Sequence, residues 1–288
     1  MQSWQRIICR TCFLPLIAVL AAGSTVAAEK VAATVLVKDS LAAVNQQAVV
    51  EAKLVTKGLL KDSALGGEPL ELVIDDVVAA TAMTGGDGRA FVSYVPKARG
   101  IKSICVRVGN SPRVAASEGQ ANLVVWERRN PLLVVEMASL MEEELSTGPL
   151  PGLVPNIQPE LKPIPDAADE LGKLTKFYYG AIYIAPLSLG ADGFRANVEA
   201  RDWLTNNKFP PGLVLVLPPG EDALGAAIDE LHAAGWKTIK TGIGRSKGFV
   251  ETFLRRRLEA VMVPEPAKGD APRKAKLAKD WKDVRKKL

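Results

Sequence analysis

Apolar and polar positions alternate in short runs over the first part of the chain. The runs lie at residues 32–37, 48–55, 70–74, 90–95, 101–108 and 121–126, and they are rich in valine and isoleucine. A period of two residues is typical of half-buried antiparallel strands. Turn sequences such as Gly85-Gly86-Asp87-Gly88 separate the runs. We therefore expect an all-β sandwich over residues 29–128.

The pattern changes after residue 130. Residues 131–137 are almost continuously apolar, as in a strand that is covered on both faces. Beyond them, helix-like and strand-like segments alternate. The helical segments are 166–177, 192–206, 222–234 and 246–258, and the strand segments are 179–185, 213–217, 238–241 and 260–263. This alternation predicts a three-layer α/β domain with a parallel sheet over residues 129–266.

Residues 1–28 have the pattern of a cleavable signal peptide. Arg6 and Arg10 form a positive segment before the apolar run 12–23. Val26 and Ala28 are small enough for the −3 and −1 positions that signal peptidase recognises. The run is shorter than the roughly 20 apolar residues that span a bilayer, so we favour a signal peptide over an uncleaved anchor. The sequence therefore predicts cleavage after Ala28 and a periplasmic or secreted protein.

Export would remove two of the three cysteines. Cys9 and Cys12 lie in the signal, so their Cys-x-x-Cys spacing is interpreted as incidental. Cys105 is then alone, cannot form an internal disulfide, and is predicted to be a buried small apolar residue. His232 is the only histidine. A histidine-rich metal site or a Ser-His-Asp triad therefore has no source, and His232 is predicted to be structural.

Residues 31–126 resemble bacterial immunoglobulin-like repeats. The matching elements are Gly67-Glu68-Pro69-Leu70, Gly86-Asp87-Gly88-Arg89-Ala90 and Tyr94-Val95-Pro96, in the order found in those repeats. The resemblance implies an immunoglobulin-like fold. It also implies a role as a spacer, adhesive or assembly surface, and it implies no chemistry.

Residues 131–264 resemble the haloacid dehalogenase superfamily, most of all its lipin- and phosphatidate-phosphatase-related branch. The resemblance rests on the order of Arg201-Asp202-Trp203-Leu204, Phe209-Pro210-x-Gly212, Leu231-x-x-x-Gly235-Trp236-Lys237 and Gly242-Ile243-Gly244. It implies a haloacid dehalogenase-like fold. Phosphatases of this family use an aspartate nucleophile at the end of the first strand, a second aspartate two residues later as acid and base, and Mg²⁺.

The catalytic positions implied by this resemblance are poorly filled. Glu136 stands at the nucleophile position and Ala138 at the acid/base position. Ala138 cannot transfer a proton, and general acid–base catalysis contributes about 10²–10⁴-fold. The longer side chain of Glu136 displaces its carboxylate, and a misplacement of about 1 Å can cost about 100-fold. We therefore expect a vestigial phosphatase to which no catalytic residue and no metal ligand can be assigned.

Two segments are candidates for anion binding. Ser188 could replace the phosphate-binding serine or threonine of the family. The loop Gly244-Arg245-Ser246-Lys247 is basic where the family has acidic metal ligands, and it could bind an anion at a helix N-terminus without a metal. A solvated turn is the alternative that we favour for this loop. The acidic run Glu142-Glu143-Glu144 is also interpreted as solvated, because three consecutive side chains point in different directions.

The chain ends in a basic tail, residues 267–288. Nine lysines and arginines against three aspartates give residues 268–288 a charge of +6, and without the signal the chain has 35 basic and 32 acidic residues. The tail therefore explains the high pI, and specific nucleic-acid binding is not expected. Leu277, Trp281 and Val284 predict a weakly amphipathic helix that contacts the body, an anionic surface or a partner. A disordered solubilising tail is the alternative.

Three functions remain open. The first is a non-catalytic exported protein that acts in binding or assembly, with no cofactor. The second is a Mg²⁺-dependent phosphatase with relocated acids, in which Asp166 or Asp192 works with Glu136 at the carboxyl ends of the strands. The third is an envelope-associated protein that binds an anionic surface through its tail. The residues identify neither a ligand nor a partner.

Overall fold

A computed structural model describes residues 30–58, 62–142, 161–188, 190–267 and 269–288. The predicted signal peptide, Glu143 and Glu144 lie outside the described residues. No helix in the described part of the chain is long and apolar enough to cross a membrane.

Residues 30–128, here called the sandwich region, form two sheets packed face to face. The strands are β1 (Thr34–Val37), β2 (Ser40–Ala43), β3 (Ala48–Thr56), β4 (Ser63–Ala64), β5 (Pro69–Ile74), β6 (Val77–Met83), β7 (Arg89–Tyr94), β8 (Gly100–Val108) and β9 (Glu118–Trp126). In one sheet β3 pairs with β1, β4 and β7, and the other has the order β2-β9-β8-β5-β6. Side chains from both sheets, among them Val50, Leu72 and Leu123, are fully buried in one core. The predicted β-sandwich is therefore confirmed.

Three strands of the sandwich region, β2, β4 and β6, were not predicted from the sequence. The strand β4 has only two residues, whereas β2 and β6 read Ser-Leu-Ala-Ala and Val-Val-Ala-Ala-Thr-Ala-Met. Neither alternates apolar with polar residues, and alanine is depleted in strands. Their positions in the sheet come from pairing with β9 and β5, which local sequence does not reveal.

Cys105 is half-buried, so the prediction of a buried cysteine is wrong. Its neighbours Ile104 and Val106 face the core, and successive residues of a strand point to opposite faces. Cys105 therefore lies on the outer face of β8, with its Sγ 3.6 Å from Glu118 Oε2.

Residues 129–288, here called the α/β region, alternate strands with helices. The elements are β10 (Leu132–Glu136), a 3₁₀ turn (Met137–Leu140), α1 (Ala167–Phe177), β11 (Gly180–Pro186), α2 (Gly193–Asn206), β12 (Leu213–Leu217), α3 (Glu221–Ala233), β13 (Ile239–Gly244), α4 (Lys247–Arg255), β14 (Glu259–Met262), β15 (Lys276–Leu277) and α5 (Trp281–Lys287). The sheet order is β12-β11-β10-β13-β14-β15, and all neighbours are parallel. The predicted parallel sheet is confirmed.

The order of these strands determines where a ligand would bind. Counted from β10, the order is 3-2-1-4-5-6, that of a doubly wound sheet. Such sheets bind ligands outside the carboxyl ends of the strands, where the strand order reverses. Here that switch point lies between β10 and β13.

The C-terminal tail is part of the α/β core. β15 adds a strand to the parallel sheet, and Ala278, Trp281 and Val284 are fully buried. The Trp281 Nε1–H donates to the carbonyl of Ser139 at 2.9 Å. Of the two alternatives for the tail, the helix that contacts the body is therefore the one observed, and a disordered tail is wrong for these residues.

The two regions share a hydrophobic core. Val124 and Trp126 of β9 pack in one cluster with Leu132, Ile182 and Trp236 of the α/β region. An apolar contact of this kind, between side chains that are each at least nine-tenths buried, holds the two regions in one orientation.

A buried ion pair also joins the two regions. Arg201 Nη1 donates to Asp39 Oδ1 at 2.8 Å, and Arg201 Nη2 donates to the carbonyl of Gln120 at 2.6 Å. The amides of Asn122 and Val214 donate to the same Asp39 carboxylate at 2.9 and 3.2 Å. Arg201, part of the Arg-Asp-Trp-Leu element in the sequence resemblance, thus bonds one region to the other.

Candidate functional site

The candidate site lies at the switch point of the parallel sheet. Glu136 is the last residue of β10, and Gly244 is the last residue of β13. The loop Arg245-Ser246 follows and leads directly into α4. The two sequence candidates for catalysis and for anion binding are therefore brought to the same place.

The Glu136 carboxylate is bound by this loop. Its Oε2 accepts from the amides of Arg245 and Ser246 at 2.7 and 2.8 Å, and its Oε1 accepts from the Ser246 hydroxyl at 2.5 Å. Amides at a helix N-terminus favour anions because their N–H groups lack partners and the helix dipole is positive there. The amides and hydroxyl that could bind an external anion are therefore bonded to the side chain of Glu136.

The two glycines of the Gly-Ile-Gly element allow this close approach. A Cβ on Gly244 would lie 2.8 Å from Glu136 Oε2 and 2.3 Å from Phe249 Cδ1. A Cβ on Gly242 would lie 2.7 Å from Phe253 Cε2. Real Cβ atoms do not tolerate such distances, so the glycines are explained by packing of α4 and by the position of Glu136.

Ser246 is the N-cap of α4, as predicted. Its Oγ accepts from the Phe249 amide at 3.3 Å while the hydroxyl donates to Glu136. One side chain thus caps the helix and binds the carboxylate.

The basic side chains of the loop are engaged away from the Glu136 carboxylate. Arg245 Nη2 donates to the carbonyl of Met141 at 2.8 Å. Lys247 Nζ lies 3.9 Å from Glu251 Oε1, one turn along α4. The anion-binding groups of the loop are therefore backbone amides and a hydroxyl, and the predicted roles of Arg245 and Lys247 as direct anion ligands find no support in these contacts.

The acid/base position is exposed and apolar. Ala138 lies in the 3₁₀ turn after β10 and borders a cavity of about 400 Å³. The other walls are mostly apolar, and include Pro186, Leu217 and Phe249. Apart from Glu136 and Ser246, every side chain that lines this cavity is apolar.

Ser188 does not join Ser246 in this cavity. It borders a neighbouring cavity of about 550 Å³, together with Met137 and Trp203. The two cavities share Ala138, Ala185 and Pro186. The two predicted anion-binding serines, Ser188 and Ser246, therefore lie in different, mainly apolar cavities.

The alternative acids are engaged in other ion pairs. Asp166 Oδ2 lies 2.8 Å from Lys282 Nζ. Asp192 accepts from the Phe194 amide at 2.8 Å and pairs with Lys53 of β3. Among the described residues there is no group of three or more histidines, cysteines, aspartates or glutamates that could hold a metal ion. The structure thus brings neither Asp166 nor Asp192 into such a group with Glu136.

His232 has a structural contact. Its half-buried Nε2 lies 3.0 Å from the carbonyl of Ile239, at the start of β13. This contact links α3 to the sheet and agrees with the predicted structural role.

Sequence reasoning missed one feature of this site, the pairing of Glu136 with Ser246. These residues are 110 positions apart. The N-cap signal of Ser246 and the strand-end position of Glu136 were each visible, but their contact depends on β10 and β13 being neighbours.

Comparison with known proteins shows only weak similarity. No protein-family model and no curated protein matches the chain. Among solved structures, the chain is similar to a chimeric titin Z1Z2 functionalized with a KLER exogenous peptide from decorin, at 15% sequence identity. The aligned part covers 32% of this chain and 89% of the titin chain, with a TM-score of 0.22.

Two further structures have similar scores. The S-layer protein SbsC domains 4 and 5 are 18% identical, covering 32% of this chain and 50% of that chain, with a TM-score of 0.22. An FMN-binding beta-glucuronidase from Facaelibacterium prausnitzii L2-6 is 14% identical, covering 80% and 41%, with a TM-score of 0.30. Similarity at this level establishes neither a family nor an activity, and no family match supports the haloacid dehalogenase resemblance.

Proposed function

We propose that this chain is an exported, non-catalytic protein that acts in binding or assembly. In this proposal the signal peptide is removed after Ala28, the sandwich region is immunoglobulin-like, and the α/β region is a degenerate haloacid dehalogenase-like phosphatase. The strand order 3-2-1-4-5-6 and the position of Glu136 at the end of the first strand agree with that ancestry.

The observation that carries the proposal is the state of the Glu136 carboxylate. In the family that the sequence resembles, the first-strand carboxylate and acids after the Gly-x-Gly element share Mg²⁺. In this chain two amides and a hydroxyl bind the carboxylate instead, at 2.5 to 2.8 Å. These donors offset the negative charge, which removes the main electrostatic reason to bind a cation there.

The same contacts disfavour covalent catalysis. A nucleophilic carboxylate needs a free lone pair and a nearby acid/base group. Three hydrogen bonds take three of the roughly four lone pairs of the Glu136 carboxylate. Ala138 stands where the acid/base residue would be. In this proposal the site keeps the strand-end position of a phosphatase centre but has neither a free nucleophile nor an acid/base residue.

Hydrolysis assays test the proposal. Purified protein is incubated with p-nitrophenyl phosphate and with phosphatidate in the presence of Mg²⁺, beside Glu136→Ala and, as a matched control in the same loop, Lys247→Ala. We expect all three proteins to release phosphate at the rate of buffer with Mg²⁺. Hydrolysis by the wild type that Glu136→Ala abolishes and Lys247→Ala retains would contradict the proposal.

Export is tested separately. N-terminal sequencing of the protein recovered from outside the cytoplasm should begin at Glu29. A chain recovered with its first 28 residues intact would refute the proposed cleavage.

A further inference from the structure

Another cleft lies between the two regions, at the amino-terminal ends of the strands of the parallel sheet. It has a volume of about 750 Å³ and lies beside Pro131 and Tyr179, which precede β10 and β11. Glu136, by contrast, ends β10. The cleft is therefore separate from the candidate site already described.

Exposed aromatic rings form one wall of this cleft. Phe177 and Tyr178, at the end of α1, are 70% and 67% exposed, and their ring centroids lie 6.3 Å apart in an edge-to-face arrangement. Tyr179 follows, 6.5 Å from the Tyr178 ring. Three consecutive aromatic residues at one surface, two of them largely in solvent, are unusual for a position without a binding partner.

Cationic groups also line the cleft. Arg99 and Arg129 are 80% and 87% exposed at their side chains, and both approach one carboxylate, that of Glu127, at 3.7 and 2.6 Å. Lys176 Nζ lies 5.1 Å from the Phe177 ring centroid. Three cations against one anion give the lining a positive excess. Glu127 accepts one hydrogen bond from Arg129, whereas a guanidinium has five N–H donors.

Little strand backbone lines this cleft. Among the lining residues, only Gly100, Val125 and Trp126 belong to strands, and each is already paired on at least one side. A peptide that adds a strand needs a longer free edge than this. Recognition in this cleft therefore depends mainly on the rings, guanidinium groups and hydroxyls of side chains.

We propose that this cleft binds a saccharide chain that carries carboxylate groups. The apolar C–H face of a pyranose ring stacks on an exposed aromatic ring, and Arg99 and Arg129 bind carboxylates through paired N–H groups. The Glu127 carboxylate, which both arginines approach, shows how a ligand carboxylate could be bound between them. This inference rests on the proposed binding function and names the class of ligand.

The small charge excess argues against a nucleic acid. Binding a phosphate backbone takes many cationic contacts, since neutralisation of each phosphate contributes to the affinity. Three cations and one anion suit a ligand with a few spaced carboxylates better.

Calorimetry with a hexamer of galacturonic acid tests the inference on the purified protein, at low salt. We expect saturable binding that Tyr178→Ser and Arg129→Gln each weaken at least tenfold. Phe91→Ser, at an exposed aromatic residue of β7, and Lys286→Gln, at an exposed lysine of α5, are matched controls that should leave binding unchanged. Glu127→Gln should strengthen binding, because it removes the carboxylate that competes for both arginines.

Several results would overturn the inference. The first is that the galacturonic acid hexamer does not bind. The second is that the control variants lose as much affinity as Tyr178→Ser and Arg129→Gln. The third is that a glutamate hexapeptide, a thymidine oligonucleotide or anionic lipid vesicles bind as tightly as the hexamer. A neutral glucose hexamer should bind more weakly, and equal binding would refute the role of the arginines. Since the cleft lies away from Glu136, failure here leaves the hydrolysis test of the proposed function unaffected.

Discussion

Arg201 of α2 and Asp39 of the sandwich region form an ion pair that is almost fully withdrawn from solvent. Their side chains are 11% and 0% exposed, and the pair closes at 2.8 Å. Asn197 completes the arrangement, because its Oδ1 accepts from the Asp39 amide and its Nδ2 donates to the Val214 carbonyl. Buried polar groups that water does not reach thus help to fix the orientation of the two regions.

Removing one partner of this pair should cost far more than removing an exposed pair. Arg201→Met leaves the Asp39 carboxylate buried and unpaired, and we expect the free energy of unfolding to fall by about 3–5 kcal/mol. Arg256→Met, which breaks the more exposed pair with Asp229, should cost about 0–1 kcal/mol. Urea unfolding measures both, and equal losses would contradict the interpretation.

Two carboxylates between the regions should respond to pH in opposite directions. Burial raises the pKa of Asp39, since it outweighs the opposing charge of Arg201. The folded state then holds a proton there more tightly than the unfolded state does, and the stability gained at low pH is lost as pH rises through the raised pKa. Burial also acts on Asp192, but hydrogen bonds from Lys53 and the Phe194 amide outweigh it and lower its pKa.

Asp192 therefore contributes stability at neutral pH that is lost as pH falls through its lowered pKa. Asp192→Asn should flatten the decrease in the free energy of unfolding from about pH 5 to about pH 2, whereas Asp39→Asn should not. Urea titrations across this range measure the slopes. A flatter acid limb for Asp39→Asn alone would show that the assigned directions are reversed.

Trp281 should be the main anchor of the tail. It is fully buried and donates to the Ser139 carbonyl, and Ser139 in turn donates from its hydroxyl to the Glu136 carbonyl at 2.7 Å. Trp281→Ala should lower the free energy of unfolding by about 3–5 kcal/mol, through the cavity and the lost hydrogen bond. Lys286→Ala on the exposed face of α5 should change it by less than about 0.5 kcal/mol. Similar values for both would mean that the tail does not dock.

The Cys105 thiol should react slowly. Burial and the neighbouring Glu118 carboxylate raise the pKa of Cys105, which lowers the fraction of reactive thiolate. In a chain whose other cysteines are serine, iodoacetamide at pH 8 should label Cys105 more slowly than free cysteine. Glu118→Gln should accelerate labelling, whereas Asp75→Asn, at an exposed carboxylate of the same region, should not. Unchanged labelling in Glu118→Gln would exclude an effect of this carboxylate.

The periodic elements were predictable because burial leaves a repeating trace in local sequence. β3, β8 and β12 were expected within one residue of their observed bounds. β2 and β6 were missed, since runs of alanine carry no period of two and their pairing partners are distant in sequence. Local pattern shows which face is buried, but not which strand lies beside it.

The candidate site shows the same division. The N-cap role of Ser246 follows from local capping preferences and was predicted. The partners of Glu136 and Trp281 lie more than 100 residues away in the chain. The Glu136 contacts appear only when the sheet order places β10 beside β13, so an open anion site and a filled one could not be distinguished from sequence.

The central claim is that the Glu136 carboxylate fills the anion site at the N-terminus of α4. NMR titration with inorganic phosphate tests it directly, through the amide resonances of Arg245 and Ser246. A tethered carboxylate has a high effective concentration, so the wild-type amides should not shift. In Glu136→Ala both amides should shift saturably with phosphate. Saturable shifts in the wild type, or none in Glu136→Ala, would contradict the claim.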